Sequence, residues 1–247
     1  MKSYYHAHES AYKIIKEKGH VGWGNIKTLE ELNSSETHDF LKQSIYKWSK
    51  NPNGKYALDL GCGTGTTAFT LSQLGFNVTG IDISETAIEL ANELAKAQKL
   101  NIRFKVYDLL LLNQLEEKFD IVYDSHCLHC IVFEDDRKLV LDGVKKILNT
   151  DGIFILDTMV LGVDTVATGG TDTLRFDNDH ILWHKTNSNN YLGIIEIDGQ
   201  KWCAQRRIYP PTKVMEEIIE AGFKVLSESL DKQKATDPWM LRLVLSI

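Results

Sequence analysis

A short apolar run, Tyr56 to Leu60, leads directly into Gly61-Cys62-Gly63-Thr64-Gly65. Glycines where a strand turns into a helix let the main chain approach a ligand closely, and the free amides of the helix N-terminus favour an anionic or polar group there. Two carboxylates follow at the ends of later apolar runs. Asp82 stands about 20 residues beyond the bend, the distance at which an acidic side chain accepts hydrogen bonds from ribose hydroxyls. Asp108, followed by Leu109, ends the next run. A fourth cluster, Asp124-Ser125-His126-Cys127-Leu128-His129-Cys130, brings carboxylate, imidazole and thiol together. A neutral imidazole near pH 7 accepts a proton from an incoming hydroxyl, which makes His126, and after it His129, the candidate catalytic bases. Cys127 and Cys130, with His180 and His184, have ligand-like spacings. Their separation is far longer than in a zinc finger and the histidines fall in a strand pattern, so no metal is expected.

These residues need a frame that brings strand ends together. After Lys55 the pattern alternates strand and helix: Tyr56–Leu60, a helix to about Leu74, Asn77–Ile81, a helix opened by Ser84, Ile102–Tyr107, Phe119–Tyr123, a helix over about Asp136–Leu148, and Gly152–Asp157. Helical crossovers of this length imply a parallel sheet covered on both faces. His180–Lys185, Tyr191–Ile197 and Lys201–Tyr209 are joined by turns so short that the strands must be antiparallel. A helix after Pro210-Pro211, stopped by Gly222, and two closing strands at Phe223–Leu226 and Leu241–Ile247 complete the chain. Before Lys55 lie helical stretches at Glu9–Lys18 and Glu36–Lys50. The carboxyl ends of parallel strands line a ligand crevice, so the glycine bend, Asp82 and Asp108 are expected to converge on one nucleoside-shaped site.

The chain has 247 residues, 43% hydrophobic and 25% charged, with a formal net charge of -6. A chain of this length buries roughly 70–75% of its unfolded surface in one core. An acidic balance opposes duplex nucleic acid as a partner, since such binding rests on phosphate neutralisation. There is no long apolar run and no leader-like segment, and the four cysteines carry no secretory context. The expectation is a cytoplasmic protein acting on a small molecule, with no membrane or nucleic-acid partner.

Taken in order, Asp59-Leu60-Gly61-Cys62-Gly63-Thr64-Gly65, Gly80-Ile81-Asp82-Ile83-Ser84, Tyr107-Asp108-Leu109, Phe119-Asp120-Ile121-Val122-Tyr123-Asp124 and Ala221-Gly222-Phe223 resemble the signatures of class I S-adenosylmethionine-dependent methyltransferases. The resemblance covers about residues 55–247. It implies S-adenosylmethionine as cofactor, with Gly61, Cys62, Gly63 and Gly65 beside the methionine moiety, Asp82 on the ribose, Ile83 against the adenine, Asp108 on its amino group and the residues after the fourth strand, His126 first, near the methyl. Asp59, Leu109 and Ser125 are further cofactor-binding candidates. A nicotinamide oxidoreductase is the rival. Its glycine fingerprint fails when read from Gly61, where Thr66 stands in the third position, and passes when read from Gly63, where Ala68 does. A regulator that keeps the nucleoside site without catalysis is a third possibility.

The expected architecture is a single α/β domain, doubly wound and Rossmann-like. It has a seven-stranded, mostly parallel sheet and a C-terminal antiparallel hairpin. Residues 1–54 form a helical cap, 55–160 the cofactor-binding core, 161–210 an inserted β-meander covering the substrate, and 211–247 the closing helix and strands. The Asn/Asp-Pro-Pro-aromatic pattern of relatives that act on nucleic-acid bases is absent after the fourth strand, which points to a small acceptor. The meander's aromatics and its paired Arg206 and Arg207 would suit an acceptor with an apolar or aromatic body and a carboxylate, although most of them are expected to pack on the sheet or face solvent. Trp183 and Arg207, with Trp23 in the cap, are singled out as the candidate acceptor contacts, and Tyr4 and Tyr5 as candidates to close over the cofactor. The acceptor atom is open among O, N, S and C.

Overall fold

Four strands run side by side: three are apolar and buried along nearly their whole length, the environment that βαβ crossovers create, and the fourth is a half-exposed edge. In the computed structural model these are β1 (Tyr56–Leu60), β2 (Asn77–Asp82), β3 (Arg103–Val106) and β4 (Phe119–Ser125). The structure describes residues 2–23, 26–28, 31, 36–49, 51–162, 169–189, 192–232 and 238–247. β5 (Leu148–Val160) runs parallel to β4, β12 (Trp239–Ser246) pairs antiparallel with β5, and β11 (Lys224–Asp231) closes the sheet antiparallel to β12. The sheet order is β11-β12-β5-β4-β1-β2-β3. β1 pairs with β2 on one side, Leu60 opposite Ile81, and with β4 on the other, Leu60 opposite Asp124. This register sets the ends of the three strands level.

The helices are α1 (Ser3–Glu17), α2 (Glu36–Trp48), α3 (Thr66–Gln73), α4 (Glu85–Ala97), α5 (Glu134–Ile147) and α6 (Pro211–Glu220). One sheet face buries Leu41 and Ile45 of α2 and Ala68 and Leu71 of α3 against Ala57, Val78 and Ile121. The other buries Val140, Leu141 and Val144 of α5 and Val214 and Ile218 of α6 against Leu58, Val122 and Leu156. The N-cap of α4 is Ser84, whose hydroxyl accepts from the Ala87 amide at 3.0 Å. Arg137 of α5 has almost no exposed surface. It makes two bonds of 2.6 Å to Glu217 of α6, and Nη1 donates to the Leu128 carbonyl at 2.6 Å. That one guanidinium locks both helices to the short 3-10 turn Leu128–Cys130 that follows β4.

The inserted sheet, in order β6-β7-β8-β10-β9, is antiparallel: β6 (Gly169–Gly170), β7 (Leu174–Phe176), β8 (Ile181–Thr186), β9 (Ile194–Ile197) and β10 (Gln200–Arg207). β10 pairs with β8 through a bulge between Ala204 and Arg206. It packs against α1, and α1 against α4.

Three elements outrun their sequence patterns. α1 starts at Ser3 rather than Glu9, held there by an ion pair from Lys2 to Asp136 and by Tyr5. β5 begins at Leu148, directly after α5, instead of at the Asp151-Gly152 turn. β11 reaches Asp231 because a bulge between Val225 and Ser227 resets its pairing with β12. Tyr191 lies outside the described residues, as does the side chain of Tyr4.

Candidate active site

The level strand ends open onto a cavity of about 400 Å³, within the range of small-molecule sites. Its floor is the bend after β1. Gly61 and Gly63 both have left-handed backbone, with φ of 60° and 53°. Neither accepts a side chain: a Cβ on Gly61 would lie 2.4 Å from Cys127 Sγ, and one on Gly63 2.4 Å from Tyr12 Oη. The glycines therefore let the bend sink between α1 and the residues after β4 while Gly61, Cys62 and Gly63 face the cavity. Gly65 is packed against Phe104 and Phe69 instead and turns the chain into α3.

Asp82 lies beside the bend. Its Oδ2 accepts from the Gly63 amide at 2.9 Å and its Oδ1 from the Ser84 amide at 2.8 Å. Burial raises its pKa, against these backbone bonds, to about 6. Glu9 of α1 closes the same corner, accepting from the hydroxyls of Ser84 at 2.6 Å and Thr86 at 2.7 Å. Burial raises the Glu9 carboxyl, but these bonds outweigh it and hold it at about 2. Ile83 and Leu109 supply apolar wall.

Two carboxylates expected at the cofactor are set back from the cavity wall. Asp59 is wholly buried inside β1, beneath the bend, where Thr67 Oγ1 donates to its Oδ2 at 2.6 Å. Burial raises it to about 7. Its side chain orients the start of α3 and does not line the cavity. Asp108 caps the 3-10 turn Leu109–Gln114: its Oδ1 accepts from the Leu110 amide at 3.0 Å and from Tyr5 Oη at 2.6 Å. Tyr5 stands between it and the cavity, which Tyr5 itself lines.

The tip of β4 forms the opposite wall. Asp124 accepts from the amides of Cys127 and Leu128 and so holds the turn. Ser125, His126, Cys127, His129 and Cys130 all line the cavity. His126 has φ of 64°, a conformation that non-glycine residues rarely adopt outside constrained sites. Its amide donates to the Asp157 carbonyl at 2.8 Å, and its Nε2 lies 3.7 Å from Asp157 Oδ2. Asp157, at the end of β5, also accepts from Thr37 Oγ1 at 3.0 Å and faces Arg242 at 3.4 Å. Burial lowers the His126 pKa, against the pull of Asp157. His129 differs. It is 2% exposed, and its Nδ1 accepts from the Met159 amide at 3.3 Å. Burial drives its pKa well below the usual value, which makes it a neutral, fixed wall element.

The cap contributes more than sequence patterning indicated. Tyr5, His8 and Tyr12, at helical spacing on α1, face the cavity, and Trp23 reaches its mouth, its Nε1 donating to Tyr12 Oη at 2.9 Å. The i, i+3, i+7 pattern of α1 was the available signal. Met159 and Arg206 also line the cavity, Arg206 from β10.

Two expected acceptor contacts lie elsewhere. Trp183 is buried in the packing between meander and core, its Nε1 donating to Asp177 at 2.6 Å. Arg207 points to the far side of β10, pairing with Glu134 at 2.9 Å and stacking on Tyr209. Alternation along a strand is the reason: adjacent residues face opposite sides, so Arg206 faces the cavity and Arg207 does not. Cys127 and Cys130 lie at the cavity, whereas His180 packs on Tyr209 and His184 is exposed. Among the described residues no cluster of three or more His, Cys, Asp or Glu side chains is assembled to hold a metal ion. Nor is any described helix long and apolar enough to cross a membrane.

The parallel sheet with its terminal antiparallel hairpin, and the ligand crevice at its glycine bend, define the class I S-adenosylmethionine-dependent methyltransferase fold. A family model described as a methyltransferase domain matches residues 51–227, and the chain belongs to that family. It is 30% identical over 136 residues to a ubiquinone biosynthesis O-methyltransferase of Coxiella burnetii, over 55% of this chain and 54% of that protein. The chain thus matches about half the length of such curated relatives. Among solved structures, an S-adenosylmethionine-dependent methyltransferase from Clostridium acetobutylicum superposes with a TM-score of 0.62 at 19% identity, covering 85% of this chain and 89% of that one. The 1,6-didemethyltoxoflavin-N1-methyltransferase of Burkholderia thailandensis, with 1,6-didemethyltoxoflavin and S-adenosylhomocysteine bound, gives a TM-score of 0.62 at 17% identity, covering 98% of this chain and 88% of that one.

Proposed function

We propose that this protein transfers a methyl group from S-adenosylmethionine to a small-molecule acceptor. The observation that carries this reading is the convergence, in one cavity, of the left-handed Gly61 and Gly63, the buried Asp82 carboxylate and the apolar Ile83 and Leu109. These residues fit the cofactor. The Gly61-Cys62-Gly63 backbone would lie along its aminoacyl chain with Ser125 opposite, Asp82 would accept from the ribose hydroxyls, and Ile83 and Leu109 would hold the adenine. Asp59, Gly65 and Asp108 support this set indirectly, by fixing α3, the bend and Tyr5.

When bound, S-adenosylmethionine supplies a methyl group already activated on a sulfonium. What remains for the protein is to orient the acceptor, exclude water and take up a proton where the nucleophile arrives protonated. α1 and Trp23 cover the cavity and perform the exclusion. His126 is the candidate base: its ring is 41% exposed into the site, burial favours its neutral form, and the Asp157 carboxylate 3.7 Å away stabilises the imidazolium formed on proton uptake. The small acceptor is supported by the size of the cavity and by similar proteins named for ubiquinone biosynthesis and for 1,6-didemethyltoxoflavin.

Calorimetric titration of the folded protein with S-adenosylhomocysteine tests the reading. Micromolar binding is expected. No binding of either S-adenosylhomocysteine or S-adenosylmethionine overturns it, and thermal stabilisation by NAD or NADP alone would select an oxidoreductase instead.

A further inference from the structure

The acceptor side of the cavity holds a permanent cation whose partners are sulfur. Arg206 Nη1 lies 3.9 Å from Met159 Sδ, and the guanidinium is close enough to the Cys130 thiol to pull its pKa down against the effect of burial. A guanidinium carries five N–H donors, and thioethers and thiols are weak acceptors. Arg206 is half-buried, and the other buried or half-buried arginines beside the core each face a carboxylate: Arg137 has Glu217 at 2.6 Å, Arg207 has Glu134 at 2.9 Å and Arg242 has Asp157 at 3.4 Å. Among the described residues, Arg206 has no such ion pair.

Its other neighbours do not supply the missing charge. His8, His126 and His129 line the same part of the cavity, and burial, with the Arg206 charge adding to it, keeps all three rings toward the neutral form. A cation withdrawn from water without a counter-ion is costly, and an anion entering beside it offsets that cost. Planar, bidentate pairing with a carboxylate is what a guanidinium does best.

We propose that the methyl acceptor carries a carboxylate, or an equivalent anionic oxygen group, and that Arg206 binds it. The inference rests on reading the cavity as a methyl-transfer site. The alternative occupant, the carboxylate of the cofactor itself, is disfavoured by position. Arg206, on β10, neighbours Met159 near the end of β5, whereas the bend that would carry the aminoacyl chain packs against Tyr12 of α1 and Cys127; titrations of the R206M variant separate the two occupants.

The test uses matched pairs titrated into wild-type protein saturated with S-adenosylhomocysteine: acetate and acetamide, benzoate and benzamide, indole-3-acetate and indole-3-acetamide. At least one carboxylate is expected to bind about tenfold more tightly than its amide. R206M should abolish that preference and R206K retain part of it, with S-adenosylhomocysteine affinity unchanged within about twofold and unaltered thermal melting. No preference for any carboxylate overturns the proposal. So does an R206M variant that loses S-adenosylhomocysteine affinity while binding 5′-methylthioadenosine normally, because Arg206 would then serve the cofactor. If wild-type protein binds no S-adenosylhomocysteine, the methyl-transfer reading falls by itself, and the same titrations without it still decide whether Arg206 is an anion site.

Discussion

The two halves of the cavity are built on different physical terms. The half around Gly63 and Asp82 is made of consecutive βα turns, with backbone amides committed to a carboxylate: Gly63 and Ser84 both donate to Asp82. Its chemistry follows from local sequence, because residue type and turn position are the same information. The half around His126 and Arg206 is assembled from α1, the β4 tip, the end of β5 and a strand of the inserted sheet. Its side chains meet only through tertiary packing, and they keep their interactions weak: a histidine 3.7 Å from its carboxylate, an arginine on a thioether. A rigid, satisfied half suits a constant cofactor. A half with unsatisfied groups suits a partner that arrives and leaves.

The sharpest break between the halves is kinetic. With an acceptor that the enzyme turns over as a protonated nucleophile, H126Q should lower kcat by roughly 10²–10⁴-fold, the usual contribution of a general base, while leaving S-adenosylhomocysteine affinity within about twofold. Initial rates of S-adenosylhomocysteine release and a calorimetric titration read the two quantities. A loss confined to cofactor affinity would move His126 to the other half.

Next in size is the lock beneath the acceptor half. R137A leaves Glu217 of α6 without its partner and frees the Leu128 carbonyl that fixes the turn after β4. Breaking a buried ion pair from one side costs about 3–5 kcal/mol, so denaturant unfolding should show a loss of that order. A loss below about 1 kcal/mol would mean that apolar packing of α5 and α6 alone holds the turn.

The cofactor half is probed by D82A, which should weaken S-adenosylhomocysteine binding by about 1–3 kcal/mol. The pH dependence sharpens this. Ribose hydroxyls donate to the ionised carboxylate, so wild-type affinity should be flat above pH 6 and fall as Asp82 takes up a proton below it. Folding responds in the opposite direction. A carboxyl raised from 3.8 to about 6 contributes stability that is complete below 3.8 and lost as pH rises through 6. Acidification therefore weakens ligand binding while relieving the buried charge in the free protein. In D82A both contributions vanish; an affinity that still falls below pH 6 in that variant assigns the titration to another group.

Legibility in the sequence divides along the same line. The parallel core, the glycine bend, Asp82 and the β4 tip could all be read from spacing, because each is a strand end. Asp59 and Asp108 carried the right residue type, but their distance from the cavity wall depends on Thr67 and Tyr5, which no local pattern ties to them. His8 and Met159 were missed, and of the pair Arg206 and Arg207 the member facing away from the cavity was preferred. The one signal for His8 was helical spacing with Tyr5 and Tyr12 in a segment whose polar composition hid its start. For the arginine pair, composition pointed to an anion without selecting a member, since choosing between two neighbouring arginines requires the register of a strand that contains a bulge.

That choice gives the smallest expected effect and a sensitive check on the geometry. Arg206 and Arg207 are adjacent, identical in charge and equally plausible by composition. Arg207 nevertheless belongs to a cluster on the far side of β10, pairing with Glu134 and bonding Tyr209 Oη. Because Glu134 is largely exposed, screening leaves R207A a stability loss of only about 1 kcal/mol. Its affinities for S-adenosylhomocysteine and for carboxylates should match wild type within about twofold. Thermal melting and the same titrations applied to R206M measure both. A carboxylate defect in R207A equal to that in R206M would show that the strand is rotated from the register described, and would transfer the anion site to the outer face of the meander.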